Sequence, residues 1–132
     1  MPQRKPYRVG RSATGLGLFA TGTIEKNADI VEYRGRRIPT KLAQEIDRRR
    51  GNKYLFEINA RWTIDGASRR NLARYVNHAC CPNAEAVLKG GRMMFRARMR
   101  IPAGAEITID YGEEHIALYF KNGCRCPACR PA

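Results

Sequence analysis

Apolar residues in this chain occur in runs of only a few positions, and glycine or proline interrupts them repeatedly. Twelve Gly and seven Pro among 132 residues leave room for many turns but for few long helices. Short runs that alternate, or that are rich in β-branched and aromatic residues, predict strands. The predicted strands are residues 29–33, 54–59, 62–65 and 106–111, together with a hairpin of residues 86–88 and 93–99 across Gly90 and Gly91.

Helical spacing is clear in one segment, residues 39–50. Leu42, Ala43 and Ile46 would share one face of that helix. Thr40 is its expected N-cap, and Gly51 is expected to end it.

Three other segments predict less regular structure. Ser68 is expected to cap a short helix over residues 71–76, and residues 114–120 suit one or two helical turns. Residues 10–22 are rich in Gly, Ser and Thr, and predict a loop that leads into the apolar residues 16–20. With many short strands and little helix, the domain is predicted to be mostly β, or α+β with a β majority.

The formal net charge is +13, from 25 Lys and Arg against 12 Asp and Glu. This charge favours an acidic partner such as nucleic acid, an anionic membrane surface or an acidic protein, although it also serves general solubility. A length of 132 residues suits one domain. No apolar run approaches the roughly 18 residues of a membrane-spanning helix, and the N-terminus lacks the apolar segment of a signal peptide. We therefore expect a cytosolic protein without a membrane partner, whose thiols stay reduced.

The five cysteines fall into two groups, Cys80 with Cys81 and then Cys124, Cys126 and Cys129. Three thiols within six residues cannot all pair with one another, whereas structural zinc takes four thiolate or imidazole ligands. A fourth ligand from Cys80 or Cys81 would tie the middle of the chain to its end. His78 and His115 are the substitute candidates. A redox pair usually appears as one Cys-x-x-Cys near a βαβ pattern, so the spacing favours zinc over a redox site or uncoordinated thiols.

Residues 71–83 run Asn-Leu-Ala-Arg-Tyr-Val-Asn-His-Ala-Cys-Cys-Pro-Asn, which predicts a short helix followed by a polar turn. In that turn, Asn77 and His78 can each donate and accept hydrogen bonds. The segment resembles the signature of the SET-domain family, Asn-Ile-Ala-Arg-Phe-Ile-Asn-His-Ser-Cys-x-Pro-Asn.

Four further segments agree with that family in the same order. They are residues 15–20 with its N-terminal Gly-x-Gly loop, 32–35 with its Glu-Tyr-x-Gly segment, 54–58 and 64–67 with its middle strands, and 104–112 with its Gly-Glu-Glu-Leu-Thr-Phe-Asp-Tyr motif. The cysteine tail resembles the family's post-SET region, and the resemblance covers residues 8–130. Three departures stand out: Ala79 replaces the usual Ser, Ile109 stands where Phe or Tyr is frequent, and the tail has two residues rather than four before its last Cys.

The chain is therefore identified as a member of the SET-domain family, of the minimal type found in bacteria and viruses. The resemblance implies a β-rich α+β fold of several small β-sheets with short helices and a C-terminal pseudoknot. It places a SET domain over residues 8–120 and a post-SET zinc-binding tail over residues 121–132, within one compact unit.

The implied activity is that of a protein-lysine N-methyltransferase, which uses S-adenosylmethionine and releases S-adenosylhomocysteine. The catalytic candidates are Tyr111, Tyr33 and Tyr54. The cofactor-binding candidates are Thr14, Gly15, Leu16, Gly17, Tyr54, Arg74, Asn77, His78, Tyr111 and Arg125. One structural Zn²⁺ would be held by Cys80, Cys124, Cys126 and Cys129, with Cys81 at the family's variable position. The small Ile109 predicts products beyond monomethyl-lysine.

The implied partner is a protein that presents a lysine, either a histone or another protein such as one bound to nucleic acid. Because histone tails are basic, an acidic patch near Tyr111 is expected from Glu106, Asp110, Glu113 and Glu114. A core this small would benefit from a homodimer. A bacterial member would be cytoplasmic, or delivered to a host nucleus. The competing interpretations are a zinc-containing basic nucleic-acid-binding module and a catalytically silent SET-like interaction domain.

Overall fold

The computed structural model describes residues 5–13, 15–49, 51–112, 115, 116 and 119. Its strands are β1 (Tyr7–Ser12), β2 (Gly15–Ala20), β3 (Asp29–Tyr33), β4 (Arg36–Pro39), β5 (Leu55–Glu57), β6 (Trp62–Asp65), β7 (Asn77–His78), β8 (Ala84–Lys89), β9 (Arg92–Ala97) and β10 (Glu106–Ile109). The helix α1 spans Thr40–Arg48, and a 3-10 helix spans Leu72–Tyr75.

The strands form three small sheets rather than one continuous sheet. Their orders are β1-β2-β10-β7, β3-β9-β8 and β4-β6-β5. All pairings within them are antiparallel except that of β10 with β7. This strand-rich architecture confirms the predicted β-rich fold of several small sheets with short helices. The predicted pseudoknot involves the C-terminal end of the chain, and residues 120–132 lie outside the described part.

The first sheet corrects the prediction of a loop over residues 10–22. Strands β1 and β2 pair in an antiparallel register from Tyr7 with Ala20 to Ser12 with Gly15. Leu18 and Ala20 point into the core and are fully buried. The strand period was hidden in the composition, because the glycines and serine of this hairpin are also typical of turns.

Helix α1 begins where it was predicted, but the prediction of its cap was wrong. Thr40 is buried, and its hydroxyl donates to the Asn59 carbonyl (3.0 Å) while sharing a hydrogen bond with the Thr63 hydroxyl (2.9 Å). The hydroxyl therefore joins the helix to β6 instead of capping the first turn, and Pro39 occupies the N-cap position. Leu42 is 49% exposed, so it does not belong to the buried face that includes Ala43.

The segment before the candidate site also differs from its prediction. The short helix is a single 3-10 turn with Asn71 at its N-cap, and the Ser68 hydroxyl accepts from the Arg70 amide rather than from the helix. Asn77 and His78, predicted to lie in a turn, form β7 beside β10. The hairpin across Gly90 and Gly91 is confirmed: both glycines have positive φ, and β8 pairs with β9 over six positions.

One hydrophobic core lies among the three sheets. Its most deeply buried large side chains are Leu18, Val76, Phe95, Ile101 and Ile107. They come from both sides of the chain's midpoint, so the small sheets are held together by packing as well as by strand pairing. In the part of the chain that the structure describes, no helix is long and apolar enough to cross a membrane.

Candidate active site

Tyr111 lies just beyond the end of β10, and its orientation is fixed at two points. Its hydroxyl donates to the carbonyl of Val76, and its backbone amide donates to Nδ1 of His78 (2.9 Å). Burial is the main cause that raises the pKa of the Tyr111 hydroxyl, with smaller contributions from Tyr54 and Glu106. The hydroxyl is therefore neutral over the physiological pH range.

Tyr33, at the end of β3, is held in a similar way. Its hydroxyl donates to the backbone carbonyl of Tyr54 (2.6 Å), and its ring packs at 5.0 Å from Phe56 and 5.7 Å from Phe95. Burial raises the pKa of the Tyr33 hydroxyl, and the neighbouring Tyr111, Asp65 and Tyr54 raise it further. Tyr33 is thus joined directly to the backbone of Tyr54, and both Tyr54 and Tyr111 act electrostatically on its hydroxyl.

Tyr54 differs from the other two tyrosines because a cation covers its ring. The Arg74 guanidinium lies 4.1 Å from the ring centroid, and the Lys53 ammonium lies at 5.4 Å. Burial alone would raise the pKa of Tyr54, but the hydrogen bond with Arg74 and the positive charges of Lys53 and Arg74 lower it overall. Arg74 also donates to the Ala67 carbonyl. In this structure the guanidinium of this predicted cofactor-binding residue therefore contacts the Tyr54 ring and the backbone of Ala67.

Asn77 joins the glycine-rich strand β2 to β10. Its amide nitrogen is 3.0 Å from the carbonyl oxygen of Leu16, 2.7 Å from Oε2 of Glu106 and 3.1 Å from the hydroxyl of Ser12. A Cβ at Gly17 would collide with the Glu106 carboxylate, so a larger residue there would displace that side chain from its position beside Asn77. Gly15, at φ 124°, has open space where a Cβ would lie. The predicted cofactor residues 15–17 and Asn77 thus meet at one place.

His78 is a neighbour of both Tyr111 and the first cysteine pair. Its side chain is only 3% exposed. Because Nδ1 accepts the Tyr111 amide proton, the ring proton belongs on Nε2, which lies 3.4 Å from Sγ of Cys80. Burial lowers the pKa of His78, and the nearby Asp110 carboxylate opposes that shift. The imidazole therefore fixes the position of the Tyr111 backbone.

Several predicted residues lie outside the described part of the chain: Thr14, Cys124, Arg125, Cys126 and Cys129. Glu113 and Glu114 of the predicted acidic patch do so as well. Cys80 and Cys81 are both exposed. The described residues contain no group of three His, Cys, Asp or Glu side chains that could hold a metal ion.

The structure adds three residues to those that the sequence singled out for the site. Glu106, predicted only as part of an acidic patch, binds Asn77 directly. Asn71 is buried and accepts from the Arg34 amide while donating to the Gly66 carbonyl, which holds the end of β3 beside the 3-10 helix. Asn83 bonds to the backbone of Glu106 and Thr108 and so fixes β10. The repeated Asn of residues 71–83 was the only sign of the latter two roles.

The site therefore combines a polar corner, formed by residues 15–17 with Asn77 and Glu106, with a tyrosine cluster in which Tyr33 is buried and Tyr54 and Tyr111 are half-buried. Two of the tyrosine hydroxyls donate to backbone carbonyls, so their remaining lone pairs can accept a hydrogen bond from a ligand. The hydroxyls of Tyr33 and Tyr111 can therefore orient an amine while they themselves remain neutral.

Known proteins are similar to this chain both in sequence and in fold. The SET domain family model matches residues 15–112. Histone-lysine N-methyltransferase 2D of Homo sapiens is 35% identical over an alignment of 134 residues, gaps included, that covers 94% of this chain and 2% of that protein. Histone-lysine N-methyltransferase set1 of Dictyostelium discoideum is 37% identical over an alignment of 138 residues that covers 97% of this chain and 9% of that protein.

Among solved structures, a chain of the complex described as "Structure of ctPRC2 in complex with H3K27me3 and H3K27M" superposes with a TM-score of 0.74 and 31% identity. The superposition covers 84% of this chain and 15% of that one. The chain thus spans less than a tenth of the length of the two methyltransferases. Because the family model matches most of its residues, the chain belongs to the SET domain family.

Proposed function

We propose that this protein transfers a methyl group from S-adenosylmethionine to the side-chain amine of a lysine in a protein substrate. The observation that carries the proposal is the position of Tyr111, whose hydroxyl is fixed on Val76 beside the polar corner of Asn77 and Glu106. Family membership and the printed names of the relatives, which are histone-lysine N-methyltransferases, support it.

The polar corner fits the cofactor's chemical character. Gly15 is exposed, with open space where a Cβ would lie, and the neighbouring Leu16 exposes an apolar side chain. Asn77 and Glu106 supply an amide and a carboxylate, which suit the ammonium and carboxylate of an amino-acid moiety. When bound there, S-adenosylmethionine would supply an electrophilic methyl group on a sulfonium.

The lysine amine must be neutral to attack that methyl, although a free lysine has a pKa of about 10.4. We place the amine beside the hydroxyls of Tyr33 and Tyr111. Both hydroxyls are uncharged and shielded from solvent, and the resulting desolvation favours the neutral amine. Because each hydroxyl gives its own proton to a carbonyl, its oxygen can accept a hydrogen bond from the amine N–H and so direct the nitrogen lone pair. Orientation of this kind can supply a large part of a rate enhancement.

Ile109 is the residue on which we base a proposal for the product. It is buried in β10 and pairs in register with His78, directly before the Asp110-Tyr111 pair. An aliphatic side chain leaves more room than Phe or Tyr and adds no hydroxyl to bind a water or an amine. We therefore propose that dimethyl- and trimethyl-lysine can form.

A structural zinc is part of the same proposal. Cys80 is exposed, lies next to β7, and approaches the His78 imidazole, which places its sulfur at the surface beside the candidate site. Cys124, Cys126 and Cys129 would complete a tetrahedral set of four thiolates. In this arrangement residues 121–132 form a post-SET tail that closes the SET domain of residues 8–120, as in a minimal bacterial or viral member.

The substrate is proposed to be a histone or a nucleic-acid-associated protein, reached in the cytoplasm of a bacterium or in a host nucleus. A homodimer would add buried surface to a small core. The alternative of a basic, zinc-containing module without catalysis accounts for the charge. It gives no reason for Asn77 to join Leu16 and Glu106, or for the hydroxyls of Tyr33 and Tyr111 to be fixed on backbone carbonyls.

Calorimetric titration with S-adenosylmethionine tests the proposal, with wild type compared with Asn77→Ala and Asn27→Gly. Asn27 is an exposed turn residue at φ 72°, so its replacement by glycine removes an asparagine without strain. We expect one-site binding by wild type and Asn27→Gly, at least about tenfold weaker binding by Asn77→Ala, and methyl-lysine on core histones by mass spectrometry. A folded, zinc-replete wild type that binds no S-adenosylmethionine would overturn the proposal.

A further inference from the structure

A second cleft lies where the end of β3 and the start of β4 meet the turn between β8 and β9. It measures about 390 Å³ and is open to solvent. Its lining shares Tyr33 with the candidate active site but includes neither Tyr54 nor Tyr111. Methyl transfer assigns no role to the charged residues that line this cleft.

Three arginines converge on this cleft from different elements. Arg34 follows β3, Arg37 lies in β4, and Arg92 begins β9. All three are exposed, with the Arg34 side chain at 73%. Of the described residues that line the cleft, one is acidic, Glu32, which lies 3.4 Å from the Arg34 guanidinium. The cleft therefore keeps a surplus of two positive charges.

The backbone around the arginines is held in place. Arg37 donates to the carbonyl of Gly91 in the β8–β9 turn, which fixes that guanidinium and leaves its other N–H groups available. Gly35 separates Arg34 from β4, and a Cβ there would collide with the Asp65 carbonyl. Close packing of the chain at this corner thus presents a preformed basic concavity rather than scattered surface charges.

We propose that this cleft binds the phosphates of a nucleic-acid backbone. Guanidinium groups form forked hydrogen bonds with phosphate oxygens, and a chain with a net charge of +13 attracts a polyanion at long range. The binding does not depend on the methyl transfer proposed above. It would hold the protein on chromatin or another nucleoprotein while Tyr33 and Tyr111 orient a lysine.

Fluorescence anisotropy with a labelled duplex DNA, measured over a range of salt concentrations, tests this proposal. The test variant is Arg34→Gln with Arg92→Gln. The matched control is Arg98→Gln with Arg100→Gln, two exposed arginines just beyond the opposite end of β9, roughly 20 Å from Arg92 at 3.3 Å per residue. Both variants lose two positive charges, from +13 to +11, so they differ in position and not in charge.

We expect wild type to bind DNA. Each phosphate contact contributes about 0.9 to the slope of log Kd against log salt, so the loss of two contacts should lower that slope by about 1.8 in the cleft variant. The control should lose less than about 0.5 of that slope, and its affinity should fall less than the cleft variant's. Equal losses in both variants would mean that the charge acts diffusely, and would overturn the proposal. So would absence of binding by wild type at low salt, or displacement of the DNA by polyglutamate at an equal concentration of charge.

Discussion

At the scale of single residues, the three tyrosines of the site differ in what holds them. Tyr33 and Tyr111 each donate a hydroxyl proton to a backbone carbonyl, whereas Tyr54 lies beneath the Arg74 guanidinium. The first two are therefore oriented hydroxyls of raised pKa, and the third is a wall whose pKa is lowered. Removal of a hydroxyl should consequently have different effects at these positions.

Tyr111→Phe should abolish most methyl transfer while leaving the cofactor site intact. The ring that packs near His78 remains, but the oxygen that would orient the amine is lost. We expect kcat to fall about 100-fold or more, with the Kd for S-adenosylmethionine changed less than about threefold. Single-turnover transfer of a labelled methyl group, beside calorimetry, measures both quantities. A variant with near-normal kcat would contradict the assigned role.

Tyr33 predicts how stability should change in alkaline solution. Burial raises its folded-state pKa above the value near 10 of an unfolded tyrosine. The neutral buried form therefore contributes its full stability below pH 10, and that contribution is lost as the pH rises towards the folded-state pKa. The free energy of unfolding, from urea titrations between pH 8 and 11, should fall more steeply above pH 10 in wild type than in Tyr33→Phe.

The difference in slope should approach about 1.4 kcal/mol per pH unit for one group. Tyr33→Phe is a suitable comparison because the Tyr54 carbonyl keeps a second donor, the Gly66 amide at 3.0 Å. Identical slopes in the two proteins would show that Tyr33 does not titrate differently on folding.

Single residues were predictable to the extent that a local motif marked them. The resemblance singled out Asn77, His78 and Tyr111, and the structure brings these three together. Glu106 was not assigned to the site, because its contact with Asn77 depends on the pairing of β7 with β10, which no local pattern encodes. The stacking of Arg74 on Tyr54 was not foreseen either, because it too is a contact between residues distant in sequence.

At the scale of elements, the corner between β3 and β4 is the tightest described approach of two backbones at a glycine. A Cβ at Gly35 would collide with the Asp65 carbonyl of β6, and the nearby Ile64 side chain leaves little room for adjustment. Gly35→Ala should therefore destabilise the protein by about 1–3 kcal/mol through overpacking. Gly22→Ala is the control, because its Cβ would meet nothing within 4 Å.

Urea unfolding of both variants gives the measurement. Gly22→Ala should lie within about 0.5 kcal/mol of wild type. Since Gly35 also borders the basic cleft, Gly35→Ala is expected to weaken DNA binding as well as the fold. Equal stability of the two variants would show that the corner can shift at little cost.

The elements themselves were predictable where side-chain alternation was undisturbed. The hairpin of β8 and β9, and the strands β3, β6 and β10, follow from alternation and from glycine turns. The hairpin of β1 and β2 was missed because the inward orientation of β2 depends on its pairing with a distant strand, β10. In that pairing Glu106 lies opposite Phe19 and Ile107 opposite Leu18. Thr40 was misassigned as a cap because its burial against Thr63 is a tertiary contact.

At the scale of the whole molecule, β10 connects the N-terminal sheet to the middle of the chain. It pairs with β2 on one side and β7 on the other, and Asn83 bonds to its backbone. This arrangement places the polar corner beside the tyrosine cluster, although the residues involved are up to about a hundred positions apart in sequence. Strand order of this kind is set by the shared core, and so the sequence pattern alone could not supply it.

The proposed zinc would act on the same scale, by joining Cys80, directly beyond β7, to the end of the chain. Coordination by Cys80 with the three C-terminal thiolates would fix that end against β7 and β10, which would couple metal content to stability and to cofactor affinity. The adjacent Cys81 offers a matched control, because it is also exposed but stands at the variable position.

Metal analysis should find one zinc per chain in wild type and in Cys81→Ser, and clearly less in Cys80→Ser. Cys80→Ser, or wild type stripped by a chelator, should melt several degrees lower, at about 2–8 °C per kcal/mol lost, and bind S-adenosylmethionine at least about tenfold more weakly. If Cys81→Ser loses zinc and Cys80→Ser retains it, then Cys81 rather than Cys80 is the fourth zinc ligand. A wild type that contains no zinc when purified without chelator, and takes up none when zinc is supplied, would remove the metal from the proposal and leave the tyrosine cluster unaffected.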